Sequence, residues 1–113
     1  MLRKSNRLTR DEFNHLLNKN TTLRDGRLLF RYRKLDDVES LSKFSVVISK
    51  KVAKGAITRH LLKRRVYAVL RDHRRDLKPG FYAGFFIQKG FADLNYSENE
   101  TIVLSLLKQS NII

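Results

Sequence analysis

The sequence predicts an α+β fold in which three helices pack on a single mixed β-sheet, in the order α-β-β(-β)-α-β-α. Two segments combine a helix-capping pattern with apolar residues at helical spacing, and a strongly basic segment shows similar spacing. Two other segments alternate in hydrophobicity, and one is apolar almost throughout. This order is typical of helices packed on one mixed sheet within a single domain, residues 1–113.

The first helix is predicted in the segment "LTRDEFNHLLNK". Thr9 is the expected N-cap, and Glu12 follows three residues later, which is a capping-box pattern. Phe13, Leu16 and Leu17 stand at positions i, i+3 and i+4, so they predict one apolar face on a short amphipathic helix.

The segment "RDGRLLFRYRK" predicts a strand after a turn at Asp25-Gly26, and an extra short strand is allowed in this region. Alternation places Leu28, Phe30 and Tyr32 on one face of the strand. The opposite face carries Arg27, Leu29, Arg31 and Arg33. The polar, acidic segment "KLDDVESLSK" that follows is expected to be a loop.

Two further strands are predicted. The segment "KFSVVIS" places Phe44, Val46 and Ile48 on one side. The segment "FYAGFFIQKG" is nearly all apolar, which is the pattern of a central strand covered on both faces. A last helix is expected after a second capping-box pattern at Ser97 and Glu100. Its apolar stripe consists of Ile102, Val103, Leu106 and Leu107.

The basic helix is predicted from Ala56 to His73, ended by the turn "KPG". Its buried stripe is expected to contain Leu62, Val66, Val69 and Leu70, with Ile57 and Leu61 at the margin. A second face is expected to carry Arg59, Lys63, Tyr67 and Arg71 at successive i, i+4 steps, flanked by His60 and Arg64. Cations at this spacing repel one another, and no carboxylate separates them.

The charge of the chain indicates a polyanionic partner. Lys and Arg number 24 against 11 Asp and Glu, which gives a net charge of +13 and a pI near 10.5. Nucleic acid is the first candidate, because no basic segment carries the aromatic anchor of an interfacial membrane helix. The N-terminus lacks the apolar region of a secretory signal, and cysteine is absent, so we expect a cytoplasmic protein without disulfides.

The segment "SKKVAKGAITRHLLKRR", Ser49–Arg65, is the expected phosphate-binding surface. Seven of its seventeen residues are Lys or Arg, and none is acidic. Guanidinium groups suit bidentate contact with phosphate, and the amides at the start of the helix add partial positive charge. Lys50, Lys51 and Lys54 precede that helix.

No protein-borne active site or metal site is expected. Asp36-Asp37 lie in the acidic loop without a nearby His, so a solvated loop explains them best. His15, His60 and His73 lie in predicted helices without a carboxylate at ligand spacing. No Gly-rich phosphate loop or Ser/His/Asp arrangement is present.

The basic segment resembles the signature of the bacterial ribonuclease P protein subunit. The matching residues are Ser49-Lys50-Lys51-Val52, Ala56-Ile57, Arg59-His60-Leu61, Lys63-Arg64 and Arg65-Val66-Tyr67. The likeness extends to "NRLTRDEFNHLL" and to "FYAGFFIQKGFADLNYSENETIVLSLLK", and thus over nearly the whole chain. Departures fall at His60, Leu61 and Tyr67, where the family signature has Asn, Arg and Arg.

The resemblance implies a protein subunit of the ribonucleoprotein that removes the 5′ leader from precursor tRNA. In that family the RNA subunit carries out hydrolysis with bound Mg²⁺, so no catalytic residue is expected in this chain. The implied contacts to the RNA subunit are Lys50, Lys51, Arg59, His60, Lys63 and Arg64. Lys54 of the basic segment is added to this predicted RNA-binding set. The implied cleft for the single-stranded leader uses Phe13, Phe30, Tyr32 and Ser49.

Two alternatives remain open from the residues alone. A structural RNA-binding protein of the ribosomal type would have a similar charge and fold, but it would not distinguish precursor from mature tRNA. A DNA-binding regulator would insert the basic helix into a major groove, although the flanking strands do not fit helix-turn-helix spacing. Under the ribonuclease P hypothesis, the expected partners are the ribonuclease P RNA subunit and precursor tRNA, with no membrane and no obligate protein partner.

Overall fold

The computed structural model describes residues 3–113, and its helices and strands follow the predicted order. The elements are α1 Arg10–Asn18, β1 Thr21–Asp25, β2 Leu28–Lys34, β3 Lys43–Ile48, α2 Ala56–Asp72, β4 Phe81–Ile87 and α3 Tyr96–Gln109. Short 3-10 helices lie at Lys4–Asn6, Arg74–Asp76 and Phe91–Asp93. The extra strand allowed by the sequence is present as β1, and the α+β fold with one mixed sheet is confirmed.

The strands form one sheet in the order β1-β2-β4-β3. β4 pairs antiparallel with β2 and parallel with β3, which confirms the prediction that it is a central strand. Because β3 and β4 are parallel, α2 must run back from the C-terminal end of β3 to the N-terminal end of β4. The two ends of α2 therefore lie at opposite ends of the sheet.

The two faces of the sheet are covered differently. Helices α2 and α3 cover one face, and the core between them and the sheet includes Phe30, Phe85 and Val66, all fully buried. Helix α1 crosses the other face, where a Cβ built on Gly84 would come within 3.4 Å of Leu16. Since glycine has no Cβ, α1 can lie directly on β4 at this point.

The first capping box is confirmed and the second is shifted. Thr9 Oγ1 accepts from the Glu12 amide at 3.2 Å, and Glu12 Oε1 accepts from the Thr9 amide at 2.8 Å. The N-cap of α3, however, is Asn95, whose box partner is Glu98; the prediction of Ser97 with Glu100 is wrong. Asn is as favourable an N-cap residue as Ser, and the earlier start of α3 adds two residues of helical hydrogen bonding.

Three residues of α2 differ from the sequence prediction in whether they are buried or exposed. Ile57 is 80% exposed and Leu61 is 50% exposed, so neither belongs to the buried stripe. Tyr67, expected beside the cations, is only 5% exposed, and its hydroxyl accepts from the Val46 amide at 3.3 Å. Lys63, one turn before Tyr67, is already half-buried, and the hydrogen bond to β3 holds the Tyr67 side chain in the core.

Two smaller observations complete the fold. Leu17, predicted on the apolar face of α1, is 43% exposed, whereas Leu16 is fully buried. Within residues 3–113, no helix combines the length and the apolar character that crossing a bilayer requires.

Candidate nucleic-acid interface

The basic segment, Ser49–Arg65, forms a turn followed by the first half of α2. The turn is closed by hydrogen bonds from the amides of Val52 and Ala53 to the carbonyl of Ser49, at 3.1 and 3.2 Å. The exposed residues of the turn are Ser49, Lys50, Lys51 and Lys54. A short, hydrogen-bonded turn thus presents three ammonium groups directly before the positive end of a helix dipole.

Arg59 has a structural role in addition to its charge. Its Nη1 donates to the carbonyl oxygens of Ala53 and Lys54, at 2.9 and 2.6 Å. These bonds fasten the turn to the first helical turn of α2. The guanidinium group has five N–H donors, so it retains others for a phosphate.

The outer face of α2 combines cations with apolar side chains. His60 and Arg64 are exposed, while Lys63 is half-buried. Together with Ala56, Ile57 and Leu61, His60 and Arg64 line a shallow groove of about 400 Å³. The sequence interpretation missed the apolar part of this groove, because it placed Ile57 and Leu61 at the margin of the core.

The cations of this surface are electrostatically uncompensated. In the part of the chain that the structure describes, no ion pair involves any of the predicted RNA-binding cations. These cations are Lys50, Lys51, Lys54, Arg59, Lys63 and Arg64. Because they repel one another, a bound polyanion would stabilise the surface.

The predicted leader-binding residues do not form one surface. Phe30 is fully buried, with its ring 4.5 Å from that of Phe85 and 5.7 Å from that of Tyr32. Phe30 and half-buried Tyr32 lie on the α2 and α3 side of the sheet, whereas Phe13 lies on the α1 side. The placement of Phe30 in a cleft is therefore wrong, because alternation identifies two faces but not which face is closed.

The α1 side carries a different aromatic and cationic surface, formed by Phe13, Arg31, Val47 and Phe86. The rings of Phe13 and Phe86 are 6.1 Å apart, and the Arg31 guanidinium carbon is 5.4 Å from the Phe86 centroid. Val47 is the sheet partner of Phe86. All four side chains are half-buried, so their outer surfaces are accessible. We call this set the α1-face surface.

Ser49, the first residue of the basic segment, lies two residues beyond Val47 and is exposed, so the α1-face surface and the basic segment meet at this residue. The sequence interpretation did not identify Phe86 or Arg31 as site residues. Phe86 stands in a run of apolar residues that conceals its alternation with Phe85. The available signal was Gly84, which stands on the same face and allows α1 to pack beside Phe86.

Glu12 holds α1 in place beside this surface. Its carboxylate accepts from Lys43 Nζ at 2.7 Å and from the Tyr82 hydroxyl at 3.1 Å. Partial burial alone would raise the pKa of Glu12, but hydrogen bonds from Lys43, Thr9 and Tyr82 outweigh it and lower the pKa to about 2. The carboxylate therefore stays charged and joins α1 to two strands.

His73 has two acidic partners, so the expectation that it has no carboxylate at suitable spacing is wrong. His73 Nε2 lies 2.9 Å from Glu100 Oε2, and its Nδ1 lies 3.8 Å from Asp76 Oδ2. Glu100 is 27 residues away in the chain, so helix spacing could not predict the contact. Among residues 3–113, no group of three or more His, Cys, Asp or Glu side chains is arranged to hold a metal ion.

Known proteins match between two thirds and nearly all of this chain. The family model described as Ribonuclease P matches residues 2–111. The ribonuclease P protein component of Synechococcus elongatus is 35% identical over 108 residues, covering 92% of this chain and 88% of that protein. The counterpart from Microcystis aeruginosa is also 35% identical, over 77 residues, which cover 68% of this chain and 64% of the relative.

Solved structures agree in fold. The RNase P protein of Staphylococcus aureus superposes with a TM-score of 0.81 at 14% identity, covering 96% of this chain and 98% of that one. The protein from Thermotoga maritima gives a TM-score of 0.79 at 23% identity, covering 91% and 96%. The family model and the curated relatives, rather than the fold, favour ribonuclease P over a ribosomal or DNA-binding protein. The chain belongs to the ribonuclease P protein family, the RNA-binding protein components of the ribonuclease that matures the 5′ end of tRNA.

Proposed function

We propose that this chain binds the ribonuclease P RNA subunit through the basic segment and holds the 5′ leader of precursor tRNA on the α1-face surface. The observation that carries the proposal is a set of cations, on the turn and outer face of α2, that form no ion pair within residues 3–113. Such a surface suits the phosphates of a folded RNA. The apolar side chains of Ile57 and Leu61 suit contact with ribose or bases between those phosphates.

The leader assignment rests on the combination of stacking and charge at the α1-face surface. Single-stranded RNA is bound by aromatic rings that stack on bases and by cations that follow the backbone. Phe13 and Phe86 offer two accessible rings, and Arg31 lies against one of them. The proposed leader site therefore retains Phe13 and Ser49 and replaces Phe30 with Phe86. It leaves out Tyr32, which lies on the opposite side of the sheet.

Hydrolysis is assigned to the RNA subunit, with Mg²⁺ bound mainly by that RNA. This part of the proposal comes from the family resemblance. The chain itself contributes binding: it orients the leader relative to the RNA and reduces electrostatic repulsion between the two RNAs through its net charge of +13. A cytoplasmic location follows from the proposed RNA partners.

The proposal is tested by the affinity of the reconstituted complex for tRNA with and without a leader. We expect the complex to bind precursor tRNA more tightly than mature tRNA, and the preference to grow as leader nucleotides are added up to the length of the α1-face surface. RNA without the protein serves as the control and should show a smaller preference. Equal affinities for the two tRNAs on the complex would instead favour a structural RNA-binding role.

A further inference from the structure

A second cationic pocket lies at the C-terminal end of α2, away from the basic segment. Its volume is about 350 Å³, at the lower end of the range for ligand sites. Three separate parts of the chain form it: the N-terminal segment, the loop before β3 and the turn between α2 and β4. The cations that line it are Arg3, Arg74, Arg75 and Lys78.

The floor of the pocket is apolar and held by hydrogen bonds. Leu41, Phe44, Leu77 and Pro79 contribute its apolar surface. Beneath them, Ser42 Oγ donates to the Lys78 carbonyl at 2.6 Å and accepts from the Phe81 amide at 3.0 Å. Asn6 Nδ2 donates to the Ser42 carbonyl at 3.3 Å. The loops are therefore joined before any ligand arrives, which limits the entropy lost on binding.

The cations at the rim are not neutralised. Within residues 3–113, none of the four forms an ion pair, and no carboxylate lines the pocket. Lys78 Nζ donates to the Asn111 side chain at 3.0 Å, and Arg74 makes only a 3.4 Å bond to the Arg71 carbonyl. The adjacent Asp76 faces His73 instead. Four positive charges around an apolar floor fit a base with its flanking phosphates.

The location of the pocket indicates which RNA could occupy it. A helix of 17 residues is about 25 Å long, so the pocket and the start of α2 are separated by roughly that distance. Phe44 and Leu77 belong to the apolar cluster on the α2 side of the sheet, opposite the α1-face surface. A large RNA bound along α2 could reach the pocket, whereas a leader on the α1 face would have to pass around the sheet edge.

We propose that this pocket is a second RNA-binding site that takes an unpaired nucleotide of the ribonuclease P RNA subunit. The base lies on Leu41 and Leu77, and the neighbouring phosphates contact Arg74, Arg75 and Arg3. The inference rests on the proposed function, because it assumes that the RNA subunit is the partner of α2. It adds a contact about one helix length from the start of α2.

A matched pair of substitutions tests the pocket by affinity. Leu41 and Val38 are 50% and 55% exposed in the same loop, but only Leu41 lines the pocket. We expect Leu41→Glu to lower the affinity for the RNA subunit about tenfold, and Val38→Glu to change it less than about twofold, because repulsion acts mainly over short distances in salt. Equal effects of the two variants would overturn the proposal.

A tethered cleavage reagent separates failure of this inference from failure of the proposed function. Since the chain has no cysteine, iron-EDTA can be attached at Asp76→Cys beside the pocket or at Thr58→Cys in the basic segment. We expect both to cut the RNA subunit in the complex, at different nucleotides. Cuts from position 58 alone would overturn the pocket site, and cuts from neither would overturn the proposed function. Cuts from position 76 in precursor tRNA alone would show that the RNA subunit is the wrong occupant.

Discussion

At the scale of single residues, neighbouring aromatic side chains of one sheet have different functions because they point to opposite faces. Phe85 packs in the closed core against Phe30, while Phe86 lies under Arg31 on the half-open α1 face. Stacking on a base requires an accessible ring face. Only the Phe86 side of the sheet meets that requirement together with a cation.

Replacement of Phe86 tests whether the ring on the α1 face stacks on a leader base. We expect Phe86→Ala to weaken binding of leader-bearing precursor tRNA by about 1–3 kcal/mol, the usual contribution of one stacked base. Binding of the RNA subunit should not change, since Phe86 lies away from α2. The measurement is the affinity of the complex for precursor and mature tRNA in parallel.

The matched control is Phe30→Ala. Because Phe30 is fully buried, we expect a loss of about 3–5 kcal/mol in the free energy of unfolding, measured by urea denaturation. Affinities measured where the variant is folded should show no leader-specific loss. A leader-specific loss in this variant without one in Phe86→Ala would show that the leader site is assigned to the wrong face.

The lowered pKa of Glu12 should make the stability of the fold depend on pH. Its pKa is lowered from 4.5 to about 2, so its contribution to stability is complete above pH 4.5 and is lost as the pH falls toward 2. Glu12→Gln can retain the capping box but loses the ion pair with Lys43. We expect the variant to be less stable at pH 7 by about 1–3 kcal/mol, and the difference to shrink below pH 4.5.

Urea denaturation between pH 2 and 7 measures this difference. Glu98→Gln is the matched control, because Glu98 occupies the same capping-box position in α3 and has no ion pair among residues 3–113. Its effect should be small at every pH. A pH-independent difference for Glu12→Gln would show that the charge of Glu12 does not fasten α1.

At the scale of elements, the position of α1 depends on one glycine in β4. A Cβ on Gly84 would lie 3.2 Å from Phe86 and 3.4 Å from Leu16. We expect Gly84→Ala to displace α1 slightly, to cost about 1–3 kcal/mol of stability, and to weaken leader binding more than RNA-subunit binding. Gly26→Ala is the control, since no atom lies within 4 Å of a Cβ there. Identical stability losses for the two variants would contradict this account.

The cations on the outer face of α2 should make the affinity for the RNA subunit depend on salt concentration. We expect Lys63→Ala/Arg64→Ala to lower the slope of log affinity for the RNA subunit against log salt by about 1.5, as two phosphate contacts are lost. Arg24→Ala/Lys89→Ala removes the same charge from exposed sites outside the proposed surfaces and should leave the slope nearly unchanged. An unchanged slope in the first variant would place the interface elsewhere.

The elements themselves were largely predictable, and the errors have local causes. The capping box at Thr9 and the apolar run of β4 identify α1 and the central strand, because each depends on neighbours in sequence. The start of α3 was missed by two residues, since two overlapping capping patterns fit and their free energies are similar. Tyr67 was misplaced because its hydrogen bond to Val46 joins residues 21 positions apart in the chain, which helix spacing does not reveal.

At the scale of the whole molecule, the proposed RNA surfaces lie on opposite sides of one sheet. The α1-face surface lies on one side, and α2 with its basic segment lies on the other. A protein built this way can contact two RNAs at once. The mixed topology achieves this arrangement because the parallel β3–α2–β4 connection places α2 opposite α1.

The candidate site was predicted in part. The cations of the basic segment are adjacent in sequence, so composition and the family resemblance identified them. The α1-face surface joins residues from α1, β2, β3 and β4, and no sequence spacing relates Phe13 to Phe86 or Arg31. The closed face of a sheet depends on where the helices pack, and for that reason Phe30 was assigned to a cleft.

The most direct test of the central claim is cleavage of precursor tRNA at low Mg²⁺ by a bacterial ribonuclease P RNA, with and without this protein. We predict a higher rate with the protein, and a smaller gain with Lys63→Ala/Arg64→Ala. The protein alone should not cleave the substrate. The same rate with and without the protein would contradict the claim that this chain acts with the RNA subunit in tRNA maturation.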